Sequence, residues 1–82
     1  MQLKLTLWMY VIDPPSGWQY GFPALIHDKI LFGGDNIKSK WFRLQGYPEN
    51  LIELGLRHSR YWSVRVTFKE YIKKLREAQC LN

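Results

Sequence analysis

The 82-residue chain contains one cysteine, Cys80, so it can form no internal disulfide and cannot build a multi-cysteine zinc site. A reducing compartment is the corresponding expectation. Long apolar runs are also missing. The longest stretch without a charge, Pro14 to His27, is interrupted by prolines, glycines and polar residues, whereas a membrane helix needs about 20 mostly apolar residues. The opening MQLKLTLWMYVID has a lysine but no small-residue cleavage site after it, which makes a poor signal peptide. A cytoplasmic protein with no membrane contact is expected.

Groups with recognisable chemistry are equally sparse. The two histidines, His27 and His58, belong to no spacing that combines a nucleophile, a base and an orienting group. His27 and Asp28 adjoin on a predicted strand, where successive side chains point to opposite faces, so they are not expected to form an oriented pair. His58 lies between Arg57 and Ser59, and neighbouring cations disfavour its protonated form. FGGDN lacks the lysine of a phosphate-binding loop and reads as a hairpin turn. Asp28 and Asp35 are too few to make an oxygen cage. No catalytic residue, metal site or cofactor is expected; a small nuclease or hydrolase using His27 or His58 is the least favoured reading.

Acidic residues are scarce in one region only. Residues 1–56 hold five basic and five acidic side chains, while residues 57–82 hold seven basic and two acidic. The whole net charge of +5 therefore sits in the last third. Such asymmetry marks a surface for a polyanion, or a solvated basic face that keeps a small domain soluble.

What the chain has in quantity is aromatic side chains: four Trp, five Tyr and four Phe. A domain this small hides only about 60–65% of its unfolded surface, and large rings are an efficient way to fill its core. Period-two alternation puts Leu3, Leu5, Leu7, Met9 and Val11 on one face of a strand, with Lys4, Thr6, Trp8 and Tyr10 on the other. DPPSG stops it. Trp18, Tyr20 and Phe22 alternate before Pro23, predicting an irregular edge strand, and Ala24 to Phe32 reads as a further strand. KSKWFRLQ is assigned to a returning strand, although Ile37, Trp41 and Leu44 also fit a helical turn. YPENLIELGL predicts a short helix opened by Pro48 and closed by Gly55, with Leu56 against Leu51.

From Tyr61 the chain alternates again, placing Trp62, Val64, Val66 and Phe68 on a core face and Tyr61, Ser63, Arg65 and Thr67 on a polar one. TFKE is a capping box, with Thr67 capping Glu70, and Val66 can staple to Tyr71. The following helix presents Phe68, Tyr71, Ile72, Leu75 and Ala78 as its apolar stripe and Lys69, Lys73 and Arg76 along another face, with Glu70 spaced to pair with Lys74. The expected architecture is one α+β domain over residues 1–82: an antiparallel sheet of three to four strands, one short helix, and a C-terminal amphipathic helix packed on the sheet.

The stretch SRYWSVRV resembles the arginine-rich central strand of small ribosome-dependent toxin nucleases. Those proteins place a helical hairpin after the first strand, where Asp13, Pro14 and Pro15 here lead into strand-like sequence, so no family is assigned. Two binding surfaces follow from the residues themselves. In the first, nucleic acid is gripped by Arg57, Arg60, Arg65, Lys69, Lys73 and Arg76 on phosphates, with Tyr61 stacking on a base. In the second, Trp8, Tyr10, Trp18, Tyr20 and Phe22 form a protein-binding or homo-oligomer surface, as in a phage- or mobile-element-type inhibitor of a host enzyme. A non-enzymatic binding protein is favoured over catalysis.

Overall fold

A computed structural model describes residues 7–81. Leu3, Lys4, Leu5 and Thr6, which extend the first alternating segment in sequence, lie outside the described residues.

Three strands form an antiparallel sheet in the order β2-β1-β3, with β1 spanning Leu7–Asp13, β2 Ala24–Ile26 and β3 Arg60–Val66. Four helices complete an α+β fold: α1 Asp28–Leu31, α2 Asp35–Leu44, α3 Glu49–His58 and α4 Phe68–Cys80. Central strand β1 pairs Tyr10 with Ile26 and Ile12 with Ala24 on one side. On the other it pairs Trp8 with Arg65, Tyr10 with Ser63 and Ile12 with Tyr61. Directly opposed residues share a face of the sheet, so Trp8, Tyr10, Ile12, Tyr61, Ser63 and Arg65 all point the same way.

The expected division of β1 into a core face and a half-polar face does not hold. Met9 is buried on one side and Ile12 on the other, because helices cover more than one side of this short strand. Ile12 joins Phe22, Ile26, Ile30, Leu31, Trp41, Phe42, Tyr47, Ile52 and Ala78 in a continuous core. Four aromatic rings form its centre, with Phe22 packing at 5.9 Å from Trp41 and 5.6 Å from Tyr47, and Phe42 at 5.0 Å from Tyr47.

Several predicted strands are helical instead. Trp18 to Tyr20 belong to a 3-10 helix, Gly17–Tyr20, rather than an edge strand. The Ala24 to Phe32 strand ends at Ile26, and Ile30 and Leu31 enter the core from α1. KSKWFRLQ lies in α2, where the helical spacing of Ile37 and Trp41 wins because Trp41 and Phe42 are both buried against neighbouring elements. FGGDN is accordingly no hairpin turn: Phe32 to Gly34 connect α1 to α2, and Asp35 and Asn36 open α2. Gly34, at φ 98°, occupies the position before α2 in a conformation that disfavours a side chain.

The helix at YPENLIELGL is present but continues through Gly55 to His58. Gly55 does not close it; a Cβ at this position would stand 2.9 Å from Tyr47 Cε2, so its smallness serves close packing. The capping box at α4 forms as expected: Thr67 Oγ1 accepts from the Glu70 amide, and Glu70 Oε1 accepts from the Thr67 amide at 3.0 Å. With Glu70 so engaged, Lys74 pairs with Glu77 at 3.5 Å rather than with Glu70. Glu77 also accepts a hydrogen bond from the indole of fully buried Trp41 at 2.5 Å, tying α4 to α2.

Two core assignments at β3 and α4 require correction. Trp62 is 43% exposed and Phe68 67% exposed. Alternation distinguishes the two faces of a strand but does not reveal whether anything packs on either one. Among the described residues β3 is an edge strand with β1 as its only neighbour, and the apolar stripe of α4 contributes only Ala78 to the buried core.

Candidate functional site

The face of the sheet that carries Ile12 into the core continues outward as an aromatic surface. Trp8 is 56% exposed and Tyr61 53% exposed. Arg65, which is opposite Trp8, lies four positions along β3 from Tyr61, a distance of about 13 Å along an extended strand. Between them Tyr10 packs edge-on at 6.1 Å from Tyr61 and 5.3 Å from Phe32, and Phe32 lies 6.0 Å from Tyr61. These contacts hold the Tyr61 ring in position while leaving much of it open. Arg65 stands over the Trp8 ring, its guanidinium carbon 5.6 Å from the ring centre, in the arrangement of a cation–π contact.

The seven basic or aromatic residues singled out by sequence do not act as one patch. Arg57 pairs with Glu53 at 2.7 Å and Arg60 with Asp13 at 2.9 Å, so both are locally compensated, and Arg60 stands at the opposite end of β3 from Arg65. Arg65, Lys69, Lys73 and Arg76 have no carboxylate within ion-pair distance among the described residues. Lys69, Lys73 and Arg76 border a shallow groove on α4 whose apolar floor is Phe68 and Ile72. Only Thr67 separates β3 from α4, so Arg65 and Lys69 are four residues apart in the chain.

The five aromatics of the second predicted surface are divided more sharply. Phe22 is a core residue, and Tyr10 and Tyr20 are half-buried against the core. Trp8 belongs to the sheet surface already described. Trp18, 77% exposed, lies elsewhere, beside Pro14, Pro15, Ser16, His58 and Arg60 in a groove of about 290 Å³. Tyr47, which sequence reasoning passed over, helps fix this turn by donating its hydroxyl to the Pro15 carbonyl at 2.7 Å. Burial, together with the nearby Tyr20, raises the Tyr47 phenol above its ordinary pKa.

His27 and Asp28 are also placed differently from expectation. Because β2 ends at Ile26, His27 is the residue before α1 and Asp28 its first residue. The alternation that would separate their side chains is absent, and Asp28 Oδ1 lies 2.8 Å from His27 Nδ1. His27 is 4% exposed, and its Nε2 is buried with no hydrogen-bond partner among the described residues. It lines a pocket of about 130 Å³ with Trp8, Met9, Tyr10, Asp28, Ser63 and Tyr71. His58 lines the separate Trp18 groove, so the two histidines do not converge.

Comparison of the chain with protein-family models, curated proteins and solved structures finds no match. Among the described residues no helix is long and apolar enough to cross a membrane, and no three His, Cys, Asp or Glu side chains are grouped to hold a metal ion. What the arrangement offers chemically is therefore read from its own geometry: exposed flat rings on a sheet, a guanidinium over one of them, and uncompensated cations on the next helix.

Proposed function

We propose that the protein is a non-enzymatic binding module for single-stranded nucleic acid, using the β1–β3 face as a stacking surface and the start of α4 as its phosphate contact. The observation that carries this reading is the pairing of Trp8 and Tyr61 as exposed rings on one sheet face, with Arg65 free of carboxylate partners beside Trp8. Unpaired bases stack on exposed aromatic rings and guanidinium planes, and such stacking contributes about 1–3 kcal/mol per base. Lys69, Lys73 and Arg76 supply positive charge for the backbone as it leaves the sheet. Arg57 and Arg60 contribute less, because each already faces a carboxylate.

The test is fluorescence anisotropy with labelled single-stranded and duplex DNA and RNA at roughly 50 and 200 mM salt, between which phosphate-driven binding falls steeply. Single strands are expected to bind more tightly than duplexes. Trp8→Ala with Tyr61→Ala should weaken binding by at least about tenfold, and Arg65→Ala should lower the salt dependence by about one phosphate contact, where Arg60→Ala lowers it less. No binding at low salt, or binding indifferent to the double aromatic change, overturns the proposal. A protein partner is the second reading, supported by the exposure of Trp18 beside its turn. Its test is sedimentation of the wild type against Trp18→Ala, with an unchanged monomeric mass counting against self-association there.

A further inference from the structure

Strand β3 leaves one long edge of the sheet open. Its inner edge pairs with β1 from Arg60 to Val66 without a break, while its outer edge meets no strand among the described residues. The neighbouring helices lead away from that edge. α3 ends at His58, and α4 turns back over the sheet, where Tyr71 packs 5.6 Å from His27, the residue after β2, and Glu77 accepts from Trp41. Arg60, Tyr61, Trp62, Ser63 and Arg65 are all exposed.

An unpaired edge is a template for another strand, and natural sheets guard such edges with proline, a bulge or an outward charge. β3 contains no proline, and its unbroken register with β1 leaves no bulge. Its two charges are drawn inward. Arg60 reaches Asp13 on β1 at 2.9 Å, and Arg65 stands over Trp8 on β1, so neither guards the free edge. β2, on the other side of the sheet, is protected by its length of three residues.

The residues of β3 select the strand that fits. Directly opposed residues of an antiparallel pair share a face, so two copies of β3 related by a twofold axis must oppose residues of like alternation. An axis at Ser63 pairs all seven residues of the strand; an axis at Trp62 or Val64 pairs only five. With Ser63 at the axis, Ser63 faces the second copy's Ser63, Trp62 faces Val64, Tyr61 faces Arg65, and Arg60 faces Val66. No cation opposes a cation. Trp62 meeting Val64 is a favourable aromatic and β-branched pair, and it gives cover to an indole that is 43% exposed in the single chain.

We infer that two copies of this chain pair through β3 as an antiparallel twofold dimer, joining their sheets into one of six strands in the order β2-β1-β3-β3-β1-β2. The short β2 at each end stops the sheet from growing further. The exposed Trp8 and Tyr61 rings of both copies then lie on one side of this sheet. The dimer does not rest on the single-strand reading above, and its test contains no nucleic acid.

The experiment is analytical ultracentrifugation of the full chain from about 1 μM to about 1 mM, a range that covers weak and moderate association. Wild type should approach twice the chain mass. Ser63→Lys puts like charges directly opposite each other at the axis and should raise the dimer dissociation constant at least about tenfold. The register is read by cross-linking in a Cys80→Ser background. Ser63→Cys should form a disulfide between copies on oxidation, because opposed Cα atoms stand about 4.5–5.5 Å apart, within the range a disulfide spans. Arg65→Cys should not, since its two copies lie four positions apart along the paired strands, about 13 Å. A wild type that is monomeric throughout overturns the dimer, as does association indifferent to Ser63→Lys. A dimer that links through Arg65→Cys but not Ser63→Cys overturns the β3 register, and open-ended growth in mass overturns closure at two copies.

Discussion

Substituting Gly55 by alanine sets two opposing effects of similar size against each other, and the structure decides between them. Gly55 is buried within α3 and is not at a positive φ. On helix propensity alone, Gly55→Ala should stabilise the protein by about 1 kcal/mol. The added methyl, however, would stand 2.9 Å from Tyr47 Cε2 and 3.5 Å from both Cε2 and Cζ of Phe42. The ring of Tyr47 is poorly able to withdraw. It is packed against Phe22 at 5.6 Å and Phe42 at 5.0 Å, and its hydroxyl is held by the Pro15 carbonyl. Overpacking a core position of this kind costs about 1–3 kcal/mol. The net expectation is destabilisation of about 1 kcal/mol, or a fall in Tm of about 5 °C for a domain of this size. Thermal unfolding of wild type and Gly55→Ala measures it directly. Adding Tyr47→Leu to both proteins removes the obstructing ring atom, so in that background the alanine should become neutral or stabilising. An alanine that stabilises the wild-type protein would refute the close-packing account of Gly55.

The remaining predictions concern the joins between elements. Thr67→Ala should cost about 1 kcal/mol through loss of the α4 cap, measured by urea denaturation; an unchanged midpoint would show that the cap contributes nothing. Hydrogen bonds from the Thr67 backbone and hydroxyl lower the Glu70 carboxyl below its ordinary 4.5. A depressed folded-state pKa stabilises above the unfolded value, and that contribution is lost as pH falls through the folded one. Glu70→Gln should therefore be less stable than wild type at neutral pH, with the difference shrinking below pH 4.5; a gap constant down to about pH 3 would contradict this. Glu77→Ala leaves the fully buried Trp41 indole N–H without its acceptor and should cost about 1–3 kcal/mol. Wild-type stability in that variant would mean the α2–α4 tie is not formed in solution.

Local signals in the sequence determined the elements whose formation depends on adjacent residues. The capping box at Thr67 and Glu70 needs only a four-residue pattern, and β1 and β3 follow from alternation over the described residues. The α+β class and the concentration of charge in the last third were legible for the same reason. The tertiary structure alone decided whether short apolar runs became helix or strand. Trp41 and Phe42 sit in α2 because other parts of the chain bury them there, an outcome that Ile37–Leu44 as an isolated pattern leaves open. It likewise decided which aromatics are exposed: Phe22 and Tyr47 fill the core, while Trp62 and Phe68 do not, since burial depends on what packs against a face.

The candidate site followed the same division. Tyr61 and Arg65 share a face by their spacing within one strand, so their association was readable. Trp8 joins them only through the register of β1 against β3, and Phe32 through a turn between helices. His27 shows the limit most directly. One residue of strand more or less determines whether its side chain opposes Asp28 or meets it, and β2 stops at Ile26 because the following residues gain more by burying Ile30 and Leu31 from a helix. Charge, composition and alternation are properties of neighbouring residues; a pocket made from four separate elements exists only once the chain has folded.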